Sequence, residues 1–295
     1  MATGYPPFNI DAANTCWVFL SGSSEARHLH DIVFANDVLK KRGVPSQNIL
    51  VFTDHPAYQL HLAPYGITNT FSSGAIASEL AQRKGFKFVV AVITGHGDPS
   101  GISVGTGASI NPAEISAAVR GCPGVQAGII ILGQCFAGLF NYINAGTGEP
   151  PLCVMGATNL NPSLSSLVGL SAAVKKSDGS DGLQSWVANI FLLHFFAWLH
   201  VPRDVDGDGR STLMDAYRHA GVHANTHLRD TKRNLHLIVE PLRTQVVELS
   251  KQPLTPVTQL QVQAIVQQLD QALESLYLHQ EPWILNAYLA ASAQF

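Results

Sequence analysis

The sequence is poor in charged residues. Lys, Arg, Asp and Glu make up 13% of its 295 residues, against about 25% in an average soluble domain. The 18 basic and 21 acidic residues give a formal net charge of -3, so the chain lacks the basic surplus that draws proteins to nucleic acid or anionic membranes. These features exclude a polyanion-binding function. They also predict that much of the chain is interior or lies against a partner.

Cysteines and long apolar runs are also scarce. Four cysteines with no C-x-x-C pair exclude a disulfide-rich scaffold and favour reduced thiols in the cytoplasm. The N-terminus shows no basic stretch followed by an apolar run, which a secretory signal requires. The most apolar segment, 185–200, is shorter than the about 20 residues that cross a bilayer, and we expect a buried helix there. A cytoplasmic protein with no membrane partner and no organic cofactor is therefore expected.

Apolar segments alternate with helical patterns along most of the chain. Strands are expected at 16–22, 48–54, 87–95, 128–135 and 151–158, helices at 28–43, 74–85 and 112–121, and a small hairpin at 102–110. Because these strands are continuously apolar and alternate with helices, they predict a largely parallel sheet that is covered on both faces.

A histidine and a cysteine follow two of these strands. His96 stands between Gly95 and Gly97, and Cys135 ends the next core strand. Either residue alone is more often structural than reactive. The carboxyl ends of parallel strands lie at one edge of a sheet, however, so both side chains are expected there. Gly97 would let a backbone N–H approach a substrate oxygen, and a Cys–His pair is the minimal apparatus for acyl transfer.

Four longer segments carry a family resemblance: RHLHDIVFANDVLKKRGVPSQNILVF, VITGHGD, IIILGQCFAGLF and VMGATNLNPSLSS. In this order they resemble the caspase-like cysteine peptidases, and within them the legumain branch, over roughly residues 15–220. The resemblance implies a three-layer α/β/α caspase-like sandwich. It also implies that Cys135 is the nucleophile, that His96 is the proton shuttle and that the N–H groups of Gly97 and Cys135 stabilise an oxyanion.

The resemblance also indicates where substrate specificity is set. Arg27 matches the arginine that lines the primary specificity pocket of legumains, although an ordinary solvated or helix-capping role is the alternative. Asp181, in a Gly- and Ser-rich loop, is expected to supply an acidic wall. Gly133 and Glu25 stand where legumains have an acidic residue and an asparagine. The substrate residue that is preferred before the cleaved bond therefore stays open. It would be acidic if Arg27 dominates the specificity pocket, and basic if Asp181 dominates it.

The segment DVDGDGRSTLMD, residues 204–215, fits the spacing of a calcium-binding loop. The predicted ligands are Asp204, Asp206, Asp208, the carbonyl of Arg210, Thr212 and Asp215, with Gly209 at the sharp turn. Clustered carboxylates repel one another without a cation. A Ca²⁺ site that supports structure or regulation is expected, and a solvated acidic turn is the alternative.

Three histidines that follow this loop recur every four residues. His219, His223 and His227 would share one helix face. No carboxylate or cysteine in a zinc pattern accompanies them, so a solvated or inter-helix face is expected rather than a metal site.

The character of the sequence changes near residue 231. Residues 1–230 are predicted to form the peptidase domain and 231–295 a C-terminal helical extension that is broken near Pro241. The amphipathic stretch 258–278 is expected either to pack on the body or to dock on a protein partner, including a second copy.

Three functions fit the whole pattern. The first is a cysteine endopeptidase that acts on protein or peptide substrates. The second is a transamidase or peptide ligase with the same Cys–His pair. The third is a catalytically silent, calcium-responsive binding module.

Overall fold

The computed structural model describes residues 5–22, 25–253, 255–277 and 280–295. The strands are β1 (Phe8–Asn9), β2 (Thr15–Leu20), β3 (Ile49–Phe52), β4 (Thr70–Phe71), β5 (Phe88–Ile93), β6 (Gly97–Asp98), β7 (Gly101–Ser103), β8 (Ser109–Ile110), β9 (Ala127–Leu132), β10 (Leu152–Gly156), β11 (Ser165–Gly169), β12 (Ser185–Asn189), β13 (Trp283–Leu285) and β14 (Ala293–Gln294). The helices are α1 (Ala26–Lys41), α2 (Tyr58–Leu62), α3 (Ile76–Gln82), α4 (Pro112–Arg120), α5 (Ile190–His200), α6 (Leu213–Ser250), α7 (Pro256–Tyr277) and α8 (Ala287–Ser292). None of the helices in these ranges is long and apolar enough to cross a membrane.

A seven-stranded sheet forms the centre of the fold, in the order β13-β10-β9-β5-β2-β3-β4. All of its neighbouring strands pair in parallel except β13, which runs antiparallel to β10 at one edge. The four longest of these strands, β2, β5, β9 and β10, are buried at every residue. The predicted mixed α/β fold with a mostly parallel central sheet is confirmed.

Helices cover both faces of this sheet. Along β2, Val18 and Leu20 share a core with residues of α3 and α4 on one face. On the other face, the rings of Trp17 and Phe19 lie 6.3 and 6.0 Å from the ring of Phe196 in α5. Successive side chains of a strand point to opposite faces, so the continuously apolar sequence reflects two buried surfaces.

The predicted helix at 185–200 is only partly correct. Residues 185–189 form the strand β12, which pairs antiparallel with β11, and the helix begins at Ile190. Trp186 and Ala188 are buried while Ser185 and Val187 are exposed. This alternation has the period of a strand that is buried on one face only.

The structure contains two compact units, and the predicted peptidase domain (1–230) and helical extension (231–295) stay predictions. Residues 224–279 form the second unit, whereas 280–295 belong to the first. The C-terminal segment supplies β13 to the central sheet and β14, which pairs with β1 near the N-terminus. Because these pairings are between residues far apart in the chain, sequence patterns gave no sign of them.

The second unit is helical. Helix α6 continues through Pro241 rather than breaking there. No residue of α7 is buried among those described, and Leu278, the end of the predicted amphipathic stretch, lies outside the described residues. Docking of this stretch on another protein stays a prediction.

Candidate active site

The sheet brings His96 and Cys135 to the same edge. Strands β5 and β9 are parallel neighbours, and Ile93 pairs with Leu132 at their last shared position. His96 and Cys135 each lie three residues beyond that pair. Since neighbouring strands are about 4.8 Å apart, the two backbones leave the sheet side by side, as the sequence pattern predicted.

The glycines around His96 are required by close packing. A Cβ atom built on Gly97 would overlap the carbonyl oxygen of Cys135 and lie 2.7 Å from Cγ of Gln134. Gly95 has a φ of 131° and lies against the carbonyl of Ser21, 2.6 Å from where a Cβ would stand. Only glycine adopts this backbone angle without strain. Gly97 therefore lets the histidine loop lie directly against the backbone of Cys135, and Gly95 lets it lie against that of Ser21.

The thiol of Cys135 lies at a half-buried position. Its Sγ accepts a hydrogen bond of 3.2 Å from the backbone N–H of Ser163. The next residue, Phe136, adopts the left-handed conformation with a φ of 55°, which a non-glycine residue adopts only at a cost of about 1–2 kcal/mol. Such outliers concentrate at functional sites.

The other three cysteines have different surroundings. Cys16, Cys122 and Cys153 are all buried. Burial raises the pKa of Cys16 to about 12 and raises those of Cys122 and Cys153 above their usual value. A thiolate at these positions is disfavoured, because the surroundings are apolar. Cys135 is therefore the one cysteine placed for reaction with an external reagent or substrate.

The imidazole of His96 is held by Glu25. Its Nε2 atom lies 2.8 Å from Oε1 of Glu25. An ionised carboxylate can only accept hydrogen bonds, so Nε2 carries the hydrogen and Nδ1 is the basic nitrogen of the neutral ring. Within the described residues, no hydrogen bond joins His96 to Cys135 directly. A base that is oriented by a third group is a recurring feature of nucleophilic sites.

Glu25 also engages Arg27. Its other carboxylate oxygen accepts from Nε of Arg27, and Nη1 of Arg27 donates to Oγ of Ser165 at 2.8 Å. Hydrogen bonding from Arg27, and then from His96, holds the pKa of Glu25 below its usual value. Arg27 is thus close to His96, but its charge is already partly neutralised by the chain's own carboxylate.

A buried polar chain lies behind His96. The ring of His28 packs edge-on against that of His96 at 5.2 Å, and its Nδ1 lies 3.2 Å from Oγ1 of Thr94. Thr94 donates to Oδ2 of Asp31 at 2.8 Å, so Nδ1 of His28 is the donor to Thr94. Burial lowers the pKa of His28 to about 3, which keeps this ring neutral.

Asp31 and Asn189 connect α1 to the loops around the thiol. Oδ1 of Asp31 accepts from the indole of Trp186 at 2.8 Å and from the backbone of Asn189 at 3.2 Å. The side chain of Asn189 donates to the carbonyl of Gly133 at 2.6 Å and to Oγ of Ser163 at 3.1 Å, and it also caps α5. Asn189 therefore holds both segments that position Cys135.

Sequence reasoning did not identify Glu25, Asp31, Ser163 or Asn189 as parts of this site. Glu25 was noted only because it replaces the asparagine of legumains. For Asn189 a local signal existed, because an asparagine directly before a long apolar helical run is typical of an N-cap. Its contacts to Gly133 and Ser163 depend on the folded chain.

The predicted specificity residue Asp181 lies in a different setting. Its carboxylate pairs with Nζ of Lys175, and both side chains are exposed. The loop around it packs on the segment after α2, where Ser177 donates to the carbonyl of Pro64 at 2.8 Å. Among the described residues, no hydrogen bond or ion pair joins Asp181 to Arg27, His96 or Cys135. Its role in the specificity pocket stays a prediction.

The acidic loop brings together some of its predicted ligands. Carboxylate oxygens of Asp204, Asp206 and Asp215 lie within 4.8 Å of one another. Asp215 is buried and accepts from Thr212, with 2.7 Å to Oγ1, while Asp204 accepts from the backbone of Gly209 at 2.7 Å. This all-oxygen donor set is suited to a hard cation such as Ca²⁺.

Two of the predicted carboxylate ligands are paired with arginines. The carboxylate of Asp208 accepts 2.6 and 3.1 Å hydrogen bonds from the guanidinium of Arg210, and Asp206 also pairs with Arg218. These arginines supply the positive charge that the carboxylates need, so a cation would have to displace them.

Glu25, His28 and His96 form a further group whose ligand atoms lie within 4.8 Å of one another.

The sequence matches no protein-family model and no curated protein. The site must therefore be interpreted from its own geometry.

Proposed function

We propose that this chain is a cysteine endopeptidase with a caspase-like fold, in which Cys135 is the nucleophile and His96 the proton shuttle. The observation that carries the proposal is the placement of these two residues at equal distances beyond a paired position on neighbouring parallel strands. The packing of Gly97 against the Cys135 carbonyl and the half-buried thiol add support.

The proposed reaction has two stages, and His96 transfers a proton in both of them. The proton of the Cys135 thiol passes to Nδ1 of His96 as the sulfur attacks the peptide carbonyl, whose oxygen becomes an oxyanion. His96 then gives this proton to the leaving amine as the C–N bond breaks. Water hydrolyses the resulting thioester: His96 takes a proton from the water and returns it to the Cys135 sulfur as the C–S bond breaks. Within the described residues, the backbone N–H of Cys135 donates no hydrogen bond, so it is available to the oxyanion together with that of Gly97.

Glu25 and Arg27 bear on specificity. If Arg27 lines the pocket, an acidic side chain of a substrate must compete with Glu25 for its guanidinium. If Asp181 dominates, it must leave Lys175 to meet a basic side chain. We propose the first of these, because Arg27 and His96 both contact Glu25.

Ca²⁺ is proposed as a ligand of the acidic loop, held by Asp204, Asp206 and Asp215, with Asp208, the Arg210 carbonyl and Thr212 completing the loop pattern. The oxygen donors and the buried Asp215 carboxylate favour it. The ion would neutralise the carboxylates and hold the ends of α5 and α6 together.

The test combines thiol reactivity with turnover. Iodoacetamide should alkylate Cys135 first in the folded protein, and a positional peptide library should be cleaved by the wild type but not by Cys135→Ala. Cys122→Ala, a matched removal of a buried thiol, should retain cleavage. Products joined to an added amine instead of water would indicate the transamidase. If iodoacetamide does not alkylate Cys135 in the folded protein and no peptide is cleaved, the enzyme proposal is overturned. The catalytically silent binding module would then be the remaining function.

A further inference from the structure

A group of three histidines joins α5 to α6, outside the candidate active site. His194 is the only polar residue within 190–199 of the apolar helix α5. His219 and His223 lie one turn apart on α6. The ring of His194 lies 5.5 Å from that of His223 and 6.4 Å from that of His219, and the two α6 rings are 4.1 Å apart.

The donor atoms of these rings converge. One ring nitrogen from each histidine lies within 4.8 Å of the other two. Tetrahedral zinc with Zn–N bonds of 2.0–2.1 Å places its nitrogen ligands about 3.3–3.4 Å apart. Small side-chain rotations close this difference, since His223 is exposed and the other two are half-buried. The backbone already supplies the required spacing, because residues four apart on a helix share one face.

The donor set of the group suits a metal of intermediate softness. A neutral imidazole is the form of histidine that binds metals. Imidazole donors without carboxylates select Zn²⁺ and its neighbours over Ca²⁺ and Mg²⁺. The positive charge of Arg203 opposes a cation, so we expect weaker binding than in a structural site with four ligands.

We propose that His194, His219 and His223 form a Zn²⁺ site that clamps α5 to α6 and leaves a fourth coordination position for water or another ligand. This site is distinct from the acidic loop, which connects the same two helices and offers only oxygen donors. Zinc bound here would fix both ends of that loop. Nothing in the inference depends on the chain being a peptidase.

The experiment uses the full chain, freed of any affinity tag and treated with chelator. Zn²⁺ is titrated by calorimetry, and Co²⁺ is used as a spectroscopic probe because nitrogen ligands in a tetrahedral site give intense visible absorption. We expect one ion per chain. His223→Gln, at an exposed position that should not disturb folding, and His194→Gln should each weaken Zn²⁺ binding at least about tenfold. Both should also reduce the rise in melting temperature that Zn²⁺ produces by mass action.

Three control variants identify the ligands. His200→Gln alters an exposed histidine of α5 outside the group and should bind Zn²⁺ as the wild type does. Asp204→Asn and Cys135→Ala should also bind normally, because the acidic loop and the reactive thiol are not ligands. Absence of binding in the wild type, or undiminished binding in both His223→Gln and His194→Gln, would overturn the proposal. Loss of binding only in Asp204→Asn or only in Cys135→Ala would do the same.

Discussion

The Nε2 atom of His96 lies 2.8 Å from the Oε1 atom of Glu25. The contact joins the loop after β5 to the residue that precedes α1. It leaves Nδ1 as the basic nitrogen of the ring, and through Glu25 it connects His96 to Arg27. The proposed proton shuttle is thus oriented by a carboxylate that also neutralises the proposed specificity residue.

Replacing Glu25 by Gln should reduce turnover. The amide keeps the shape of the side chain but removes the negative charge, so the ring of His96 loses its charge-assisted hydrogen bond. We expect kcat to fall roughly tenfold, equivalent to about 1.4 kcal/mol. Arg27 is freed at the same time, and cleavage after acidic residues should gain relative to other substrates. Glu79→Gln, which removes the carboxylate of another arginine pair, is the matched control and should change neither quantity.

Gly97→Ala should damage the site through steric overlap. The new methyl group would meet the carbonyl of Cys135 and Cγ of Gln134, and a forced shift of this kind costs about 1–3 kcal/mol. Urea unfolding should show this loss, and cleavage should fall with it. Gly74→Ala is the control, because a Cβ there meets nothing within 4 Å. If Gly97→Ala were as stable and active as Gly74→Ala, the loop would not lie against Cys135.

Asn189→Ala should slow alkylation of Cys135 and lower stability. The change removes the cap of α5, worth about 1 kcal/mol, and leaves the buried carbonyl of Gly133 without its 2.6 Å hydrogen bond, which costs a further 1–3 kcal/mol or so. Asn111→Ala, which removes the cap of α4, should cost only about 1 kcal/mol and leave the thiol unchanged. Equal effects of the two variants on Cys135 would show that Asn189 acts only as a cap.

Asp31 should make stability depend on pH. Burial raises the pKa of this carboxyl to about 6, although hydrogen bonds from Trp186 and Thr94 oppose the shift. Because the folded state then binds a proton more tightly than the unfolded state, its contribution is fully present below pH about 4. It is lost as the pH rises through 6, and the total change is about 3 kcal/mol.

The difference between wild type and Asp31→Asn isolates this effect. The amide can accept from Trp186 and Asn189 and donate to Thr94, so the fold should be retained. In urea unfolding between pH 4 and 7, the wild type should lose stability relative to the variant as the pH rises. If the stabilities of wild type and Asp31→Asn change in parallel with pH, Asp31 has the same pKa in the folded and unfolded states.

Calcium should stabilise the chain through the acidic loop. Millimolar Ca²⁺ should raise the melting temperature by mass action, and a chelator should reverse the rise. Mg²⁺ should substitute poorly because it demands tighter octahedral geometry. Asp204→Asn should abolish the response, whereas Asp178→Asn, in another exposed loop, should retain it. If neither Ca²⁺ nor chelator changes the melting temperature, the loop is an acidic turn whose carboxylates are neutralised by Arg210 and Arg218.

Much of the sheet and one part of the site were accessible from sequence. Continuous apolar runs identified β2, β5, β9 and β10 because strands that are buried on both faces exclude polar residues. The same strands placed His96 and Cys135 at one edge, since parallel strands end together. The sequence interpretation of Gly97 was close approach of a substrate oxygen, and its packing against the backbone of Cys135 was not foreseen.

The tertiary structure alone decided the partners of these residues. Glu25, Asn189 and His194 reach His96, Gly133 and His223 across long stretches of sequence, and no local periodicity encodes such pairings. The return of β13 to the sheet was missed for the same reason, because its pairing partner β10 lies far away in the chain. The strand β12 was missed because its five residues directly precede the apolar helix α5. Sequence indicated which segments are apolar enough to form the core and where strands end, because hydrophobicity and turn-forming residues are features of the local sequence. Which side chains then meet depends on how the whole chain is packed.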